Sequence, residues 1–183
     1  MAGFLGLGRR KRHERTGFEL YGSAVAAARD PALYTRFGVP DTLDGRFDMI
    51  GLHAFLLIGR LTGEPAPGPA LAQAIFDAMF SDMDINLREM GVGDLSVGKK
   101  VKAMWEAFHG RSAAYAAALR ANDVAAMEAA LQRNVWRKDP PPEGAPAALA
   151  RLTFAQHACL SAQALEALAG GRARFLPAME AAQ

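Results

Sequence analysis

The sequence predicts an all-α fold, a compact single-domain bundle of about six helices. Three observations carry that expectation. Apolar residues recur at spacings of 3 and 4 throughout, and no stretch alternates like a strand. Ala, Leu, Met and Lys/Arg, all good helix formers, dominate the chain. Finally, 183 residues with 51% hydrophobic and 22% charged side chains are ample for one sizeable core and far from a disordered composition.

Residues 1–16 read as a basic N-terminal arm, ahead of a helical domain over 17–183. The arm, MAGFLGLGRRKRHER, places its apolar part before its basic run, the reverse of a secretory signal. Two readings stay open for it. It is a solvated, flexible arm, or a peripheral membrane contact with Phe4, Leu5 and Leu7 in the interface and Arg9, Arg10, Lys11 and Arg12 on anionic head groups. A first helix is predicted over 18–29, stopped by Asp30-Pro31, and a short helical turn over 32–37 ends at Gly38. Asp41 or Thr42 caps the next, which runs to about Leu61 with Gly63 and Pro65 behind it. GEPAPGP, 63–69, is a loop. Helices follow over 70–90 and 96–120, and Asn122 or Asp123 caps another that ends near Arg137. The proline-rich DPPPEGAP, 139–146, is the sharpest break, and a last helix over 147–169 ends at Gly170-Gly171. No internal repeat occurs.

Several function classes fall away. A net charge of +2 gives no global electrostatic case for nucleic acid. The longest apolar run, 49–59, is well short of the roughly 20 residues that span a bilayer. One cysteine, Cys159, excludes an intrachain disulfide and reads as a buried core thiol. The four histidines, His13, His53, His109 and His157, show no metal-ligand spacing, and His53 reads as a satisfied core histidine. Asp82, Asp84 and Asn86 open like a calcium loop, but Leu87 and Gly93 stand where the glycine and the final carboxylate are needed. Residues 93–100 nearly spell a phosphate-binding loop. There Lys100 replaces the hydroxyl residue that holds magnesium, and a helix precedes where a strand is required. The expectation is therefore no metal, no nucleotide, no cofactor and no catalytic residue.

What remains is surface geometry. Met79, Phe80, Met83, Leu87 and Met90 share one helical stripe with Phe76, predicted to face the core. Opposite it lies Ile85, among Asp77, Asp82, Asp84, Glu89 and Arg88. That face is either simply solvated or a partner contact. On the next helix, Val101, Met104, Trp105, Phe108, Ser112, Tyr115 and Leu119 form the predicted buried stripe. Lys99, Lys100 and Lys102 occupy its first turns, where the helix dipole disfavours cations by tenths of a kcal/mol, up to roughly 1 each. They serve solubility or meet an anionic partner. The run at 49–59 is apolar almost all round, so it is central or lines a cavity.

Two stretches carry a resemblance: FDMIGLHAFLLIGRL (47–61) and FDAMFSDMDINLREMGVGDLSVGKKVKAMWEAFHGR (76–111). They resemble the ubiquinol–cytochrome c chaperone family over about residues 21–131, the second stretch most specifically. The resemblance implies an all-α domain without enzymatic activity, an assembly factor for the cytochrome bc1 complex whose mitochondrial relatives bind newly made cytochrome b. In place of a long targeting extension the chain has a short basic N-terminus. That suits a bacterial relative in the cytoplasm, peripheral to the inner membrane, and leaves the need for a second chaperone subunit open. Our expectation is that the shared motif touches the client through Asp82, Asp84, Ile85, Arg88, Glu89, the turn at Gly91 and Gly93, and Lys99, Lys100 and Lys102. The rival expectations are a small helical lipid- or quinone-binding protein or enzyme with an apolar pocket near 49–58, and a scaffold subunit of the mature complex.

Overall fold

The computed structural model describes residues 2–138 and 140–181, with side chains described for Gly8, 10–138 and 140–180. Its elements are α1 (Ala2–Ala28), α2 (Pro31–Thr35), α3 (Leu43–Thr62), α4 (Gly68–Glu89), α5 (Asp94–Ala121), α6 (Val124–Val135), α7 (Ala145–Ser161), α8 (Leu165–Ala169) and α9 (Ala178–Ala181). Six of these are long, as the periodicity predicts, and no strand occurs among the described residues.

The caps explain the boundaries. Thr42 accepts the Gly45 amide at the start of α3, and Asp123 accepts the Ala126 amide at the start of α6. Asn122 instead adopts the left-handed conformation that closes α5. Two boundaries differ from expectation. The first helix begins at Ala2 rather than near residue 18, so the basic segment and the helical domain share one continuous helix. Exposed pairs one turn apart, Arg10–Glu14 and Arg15–Glu19, both at 3.0 Å, support its early turns. The expected helix over 147–169 breaks after Ser161. Arg60 reaches across from α3 to take the carbonyls of Leu160 (3.0 Å) and Gln163 (2.9 Å), and Ala164 is extended.

Helices α1, α3 and α4 pack on one another through Leu20, Tyr21, Ala24, Leu57, Leu61, Leu71, Ile75 and Met79, all buried. The α1–α4 contact is close because Gly17 lacks a side chain: a Cβ there would lie 2.6 Å from that of Ala74. On the far side of α3 sits α7, which carries α6. From α6 the chain is tied back to α5, which leans on α4. His53 is buried, as expected, with Nδ1 2.8 Å from the Met49 carbonyl and its ring against Phe175. Cys159 is only half-buried, because it lies under the extended segment 172–177 and its thiol donates to the Arg174 carbonyl at 3.6 Å. No described helix is long and apolar enough to cross a membrane.

Candidate functional site

The α4–α5 hairpin departs from the rest of the bundle. Of the stripe predicted to be buried on α5, only Tyr115 is buried, and Trp105 is 44% exposed. The physical reason is neighbour supply. Helix α5 rests on α6 and α4 and only lightly on α3, and Trp105 lies outward with its ring against that of His109, centroids 4.0 Å apart. Met90, placed on the core stripe of α4 by spacing, falls just past the helix end and is 50% exposed. Leu95 is 94% exposed.

Between α3, α4 and α5 the hairpin leaves an open cleft of about 570 Å³. Its floor is apolar: Phe47 and Ile50 from α3, Met83 and Leu87 from α4, Met104 and Phe108 from α5. Tyr21, Arg29 and Tyr34 close one side, and Arg46, Lys100, Arg111 and Arg137 add positive charge. That combination, an apolar floor of ligand-pocket size rimmed by polar and charged groups, is suited to binding.

One buried acid organises one end. Asp48 accepts hydrogen bonds from Arg111 on one oxygen and Arg137 on the other, and Asp44 lies 4.0 Å from Arg137. These pairs tie α3 to α5 and to the chain after α6. Burial pushes the Asp48 carboxyl up to about 6, and the two guanidinium groups oppose that shift. At the other end the Tyr21 hydroxyl donates to Asp82 at 2.7 Å, and burial together with that carboxylate raises the Tyr21 pKa. Tyr115 is pushed up to about 12 by burial.

The residues expected at a partner surface divide between two places. Asp82 and Lys100 line the cleft. Asp84 and Arg88 pair with each other at 2.6 Å, and Arg88 also holds Asp94, so this set staples the hairpin turn. Gly91 supplies the turn's left-handed residue at φ 80°, whereas Gly93, at φ −63°, needs no such freedom. Ile85 is 51% exposed, and Glu89, Lys99 and Lys102 are exposed as well, Lys102 at 3.8 Å from Glu106. The calcium-like Asp82 and Asp84 sit mid-helix and hold different partners, Tyr21 and Arg88. On the N-terminal helix, Arg10, Lys11 and Arg12 are exposed, while the side chains of Phe4, Leu5, Leu7 and Arg9 lie outside the described residues.

Asp48, Arg111, Arg137, Tyr21 and Arg29 escaped the sequence reading. The first three come together from 63 and 89 residues apart, so no local spacing reveals them. A signal did exist. Asp48 shares its stripe with Leu52 and Phe55, and an acid on a buried stripe demands a cation. The expected pocket near 49–58 lies earlier on the helix, because Ala54 to Leu57 are packed into the core.

Residues 35–175 match the model of a family described as ubiquinol-cytochrome C chaperone. The span contains all three helices of the cleft. A crystal structure of the Cbp3 homolog from Brucella abortus is similar, with a TM-score of 0.85 at 39% identity, covering 98% of this chain and 99% of that one. The ubiquinol-cytochrome-c reductase complex assembly factor 1 of Xenopus laevis is 25% identical over 105 residues, 57% of this chain. The matched part is 52% of that relative, so the likeness spans about half its length.

Proposed function

Because the chain belongs to the ubiquinol–cytochrome c chaperone family, we propose that it is an assembly chaperone of the cytochrome bc1 complex, holding newly made cytochrome b in the α3–α4–α5 cleft and on the adjoining hairpin. The observation that carries this reading is the open cleft, whose apolar floor lies within the family-matched span. A newly made membrane segment exposes apolar surface and flanking charge. A cleft lined by methionines and aromatic rings, with charge at its rim, covers both without chemistry. Met83 and Met104 are unbranched and adapt their shape, which suits a client that is held and then released.

In this reading the partner residues take distinct roles. Lys100 faces the client from the cleft, and Ile85, Glu89, Lys99 and Lys102 meet it from the hairpin. Arg88, Asp84, Asp94 and Gly91 keep the hairpin in shape, and Asp82 holds Tyr21 at the cleft wall.

The test is capture during synthesis. Tagged chain recovered from cells making the bc1 complex should carry newly labelled cytochrome b. Ala107→Glu, which places a charge among the cleft-lining residues, should reduce that recovery severalfold while leaving the fold intact by circular dichroism. Absence of cytochrome b from the unaltered chain would overturn the proposal. Recovery with mature complex alone would favour a scaffold subunit.

A further inference from the structure

The chemistry inside the cleft restricts what shape of client it takes, and this inference rests on the cleft being the client site. We infer that the occupant is an amphipathic helix with carboxylates beside its apolar face, not an extended segment and not a basic one.

The helical requirement comes from hydrogen bonding. Apart from the Arg29 and Lys100 cations, most of the polar groups that line the cleft already have partners. Tyr21 Oη donates to Asp82 at 2.7 Å, Tyr34 Oη to the Ala28 carbonyl at 2.8 Å, and Asn86 Nδ2 to the Asp82 carbonyl at 2.7 Å. Both oxygens of Asp48 are taken by Arg111 and Arg137. With no strand edge among the described residues, an extended chain entering here would lose water from a run of amides and meet no matching run of backbone partners. A helix satisfies its own backbone and presents only side chains to the floor.

The sign of the charge comes from what is left over. Arg46 is paired with Asp41 at 2.6 Å, and Arg111 and Arg137 with Asp48. Among the acids of the lining, Asp44 and Asp48 face Arg137, and Asp82 holds Tyr21. Arg29 and Lys100, both exposed, have no carboxylate partner among the described residues. The complement to an apolar floor with two uncommitted cations is an apolar face with nearby Asp or Glu.

Labelled synthetic helices binding the full chain, followed by fluorescence anisotropy, test this. Three peptides share one apolar face: one flanked by Glu, one by Lys, and one with Glu flanks and a central proline. The Glu helix should bind at least about fivefold tighter than the Lys helix, and the proline version should lose most of its affinity. The Arg29→Glu/Lys100→Glu variant should invert the preference, gaining affinity for the Lys helix, which misfolding cannot do. Equal binding of the Glu and Lys helices, or undiminished binding of the proline version, would overturn the inference. So would oleate binding that depends on Arg29 and Lys100 when no helix binds. Capture of cytochrome b in cells with no helix bound would leave the chaperone role standing and remove only this inference. Helix binding without capture would do the reverse.

Discussion

Helices α3 and α5 both wall the cleft and have opposite fates. In α3, ten of 20 residues are buried; in α5, three of 28. Composition contributes, since α3 is the more apolar helix, and company adds to it. Helix α3 packs against α1, α4 and α7. Helix α5 packs mainly on α6 and α4. An apolar stripe therefore means burial only where another element arrives to cover it. Where none does, as at Met90 and Trp105, the stripe becomes a surface available to a partner.

The sharpest way to break this comparison is one substitution at two places, inside α4 and just past its end. Met79→Ala, at a fully buried site, should cost about 2–5 kcal/mol of stability. Met90→Ala, at the half-exposed site eleven residues on, should cost less than about 0.5 kcal/mol. Similar losses in urea unfolding would mean that the hairpin is as tightly packed as the core.

Asp48 sharpens the contrast at the junction of the two regions. Its folded carboxyl sits at about 6, above the ordinary 3.8, so the folded state binds a proton that the unfolded chain has released. Its contribution is fully present below about pH 3.8 and is lost as pH rises through about 6, roughly 2–3 kcal/mol in all. Carbon-detected NMR of the carboxyl should therefore titrate near pH 6. A midpoint at or below 4 would mean that Arg111 and Arg137 outweigh burial.

Glycines give the smallest effects but opposite signs. Gly17→Ala drives a methyl into Ala74, 2.6 Å away, and should cost about 1–3 kcal/mol, more than the roughly 1 kcal/mol of helix propensity it gains. Gly110→Ala on α5 meets nothing within 4 Å and should raise stability by up to about 1 kcal/mol. Thermal unfolding of both variants decides it, and a matching sign would contradict the difference in packing.

Much of the fold was legible in the sequence because caps and periodicity are local. Thr42 and Asp123 mark helix starts from their own neighbourhoods, and Met79, Met83 and Leu87 follow the predicted stripe into the core. The break after Ser161 was not legible, since Arg60 makes it from about a hundred residues away. The site was half legible. The motif at 76–111 drew attention to the hairpin that walls the cleft, yet of the ten residues expected at the partner surface only Asp82 and Lys100 line it. The others follow the outer faces of α4 and α5, because spacing tells which residues share a face but not which face another helix leaves open. The exposure of Trp105 was illegible for the same reason.

The most direct test of the account is site-specific photo-crosslinking in cells, with the probe at Met104 in the cleft, at Ile85 on the hairpin and at exposed Ala129 on α6. The account predicts cytochrome b as the main adduct from Met104 and Ile85 and none from Ala129. Adducts from Met104 to other proteins only, or cytochrome b captured equally from Ala129, would contradict it.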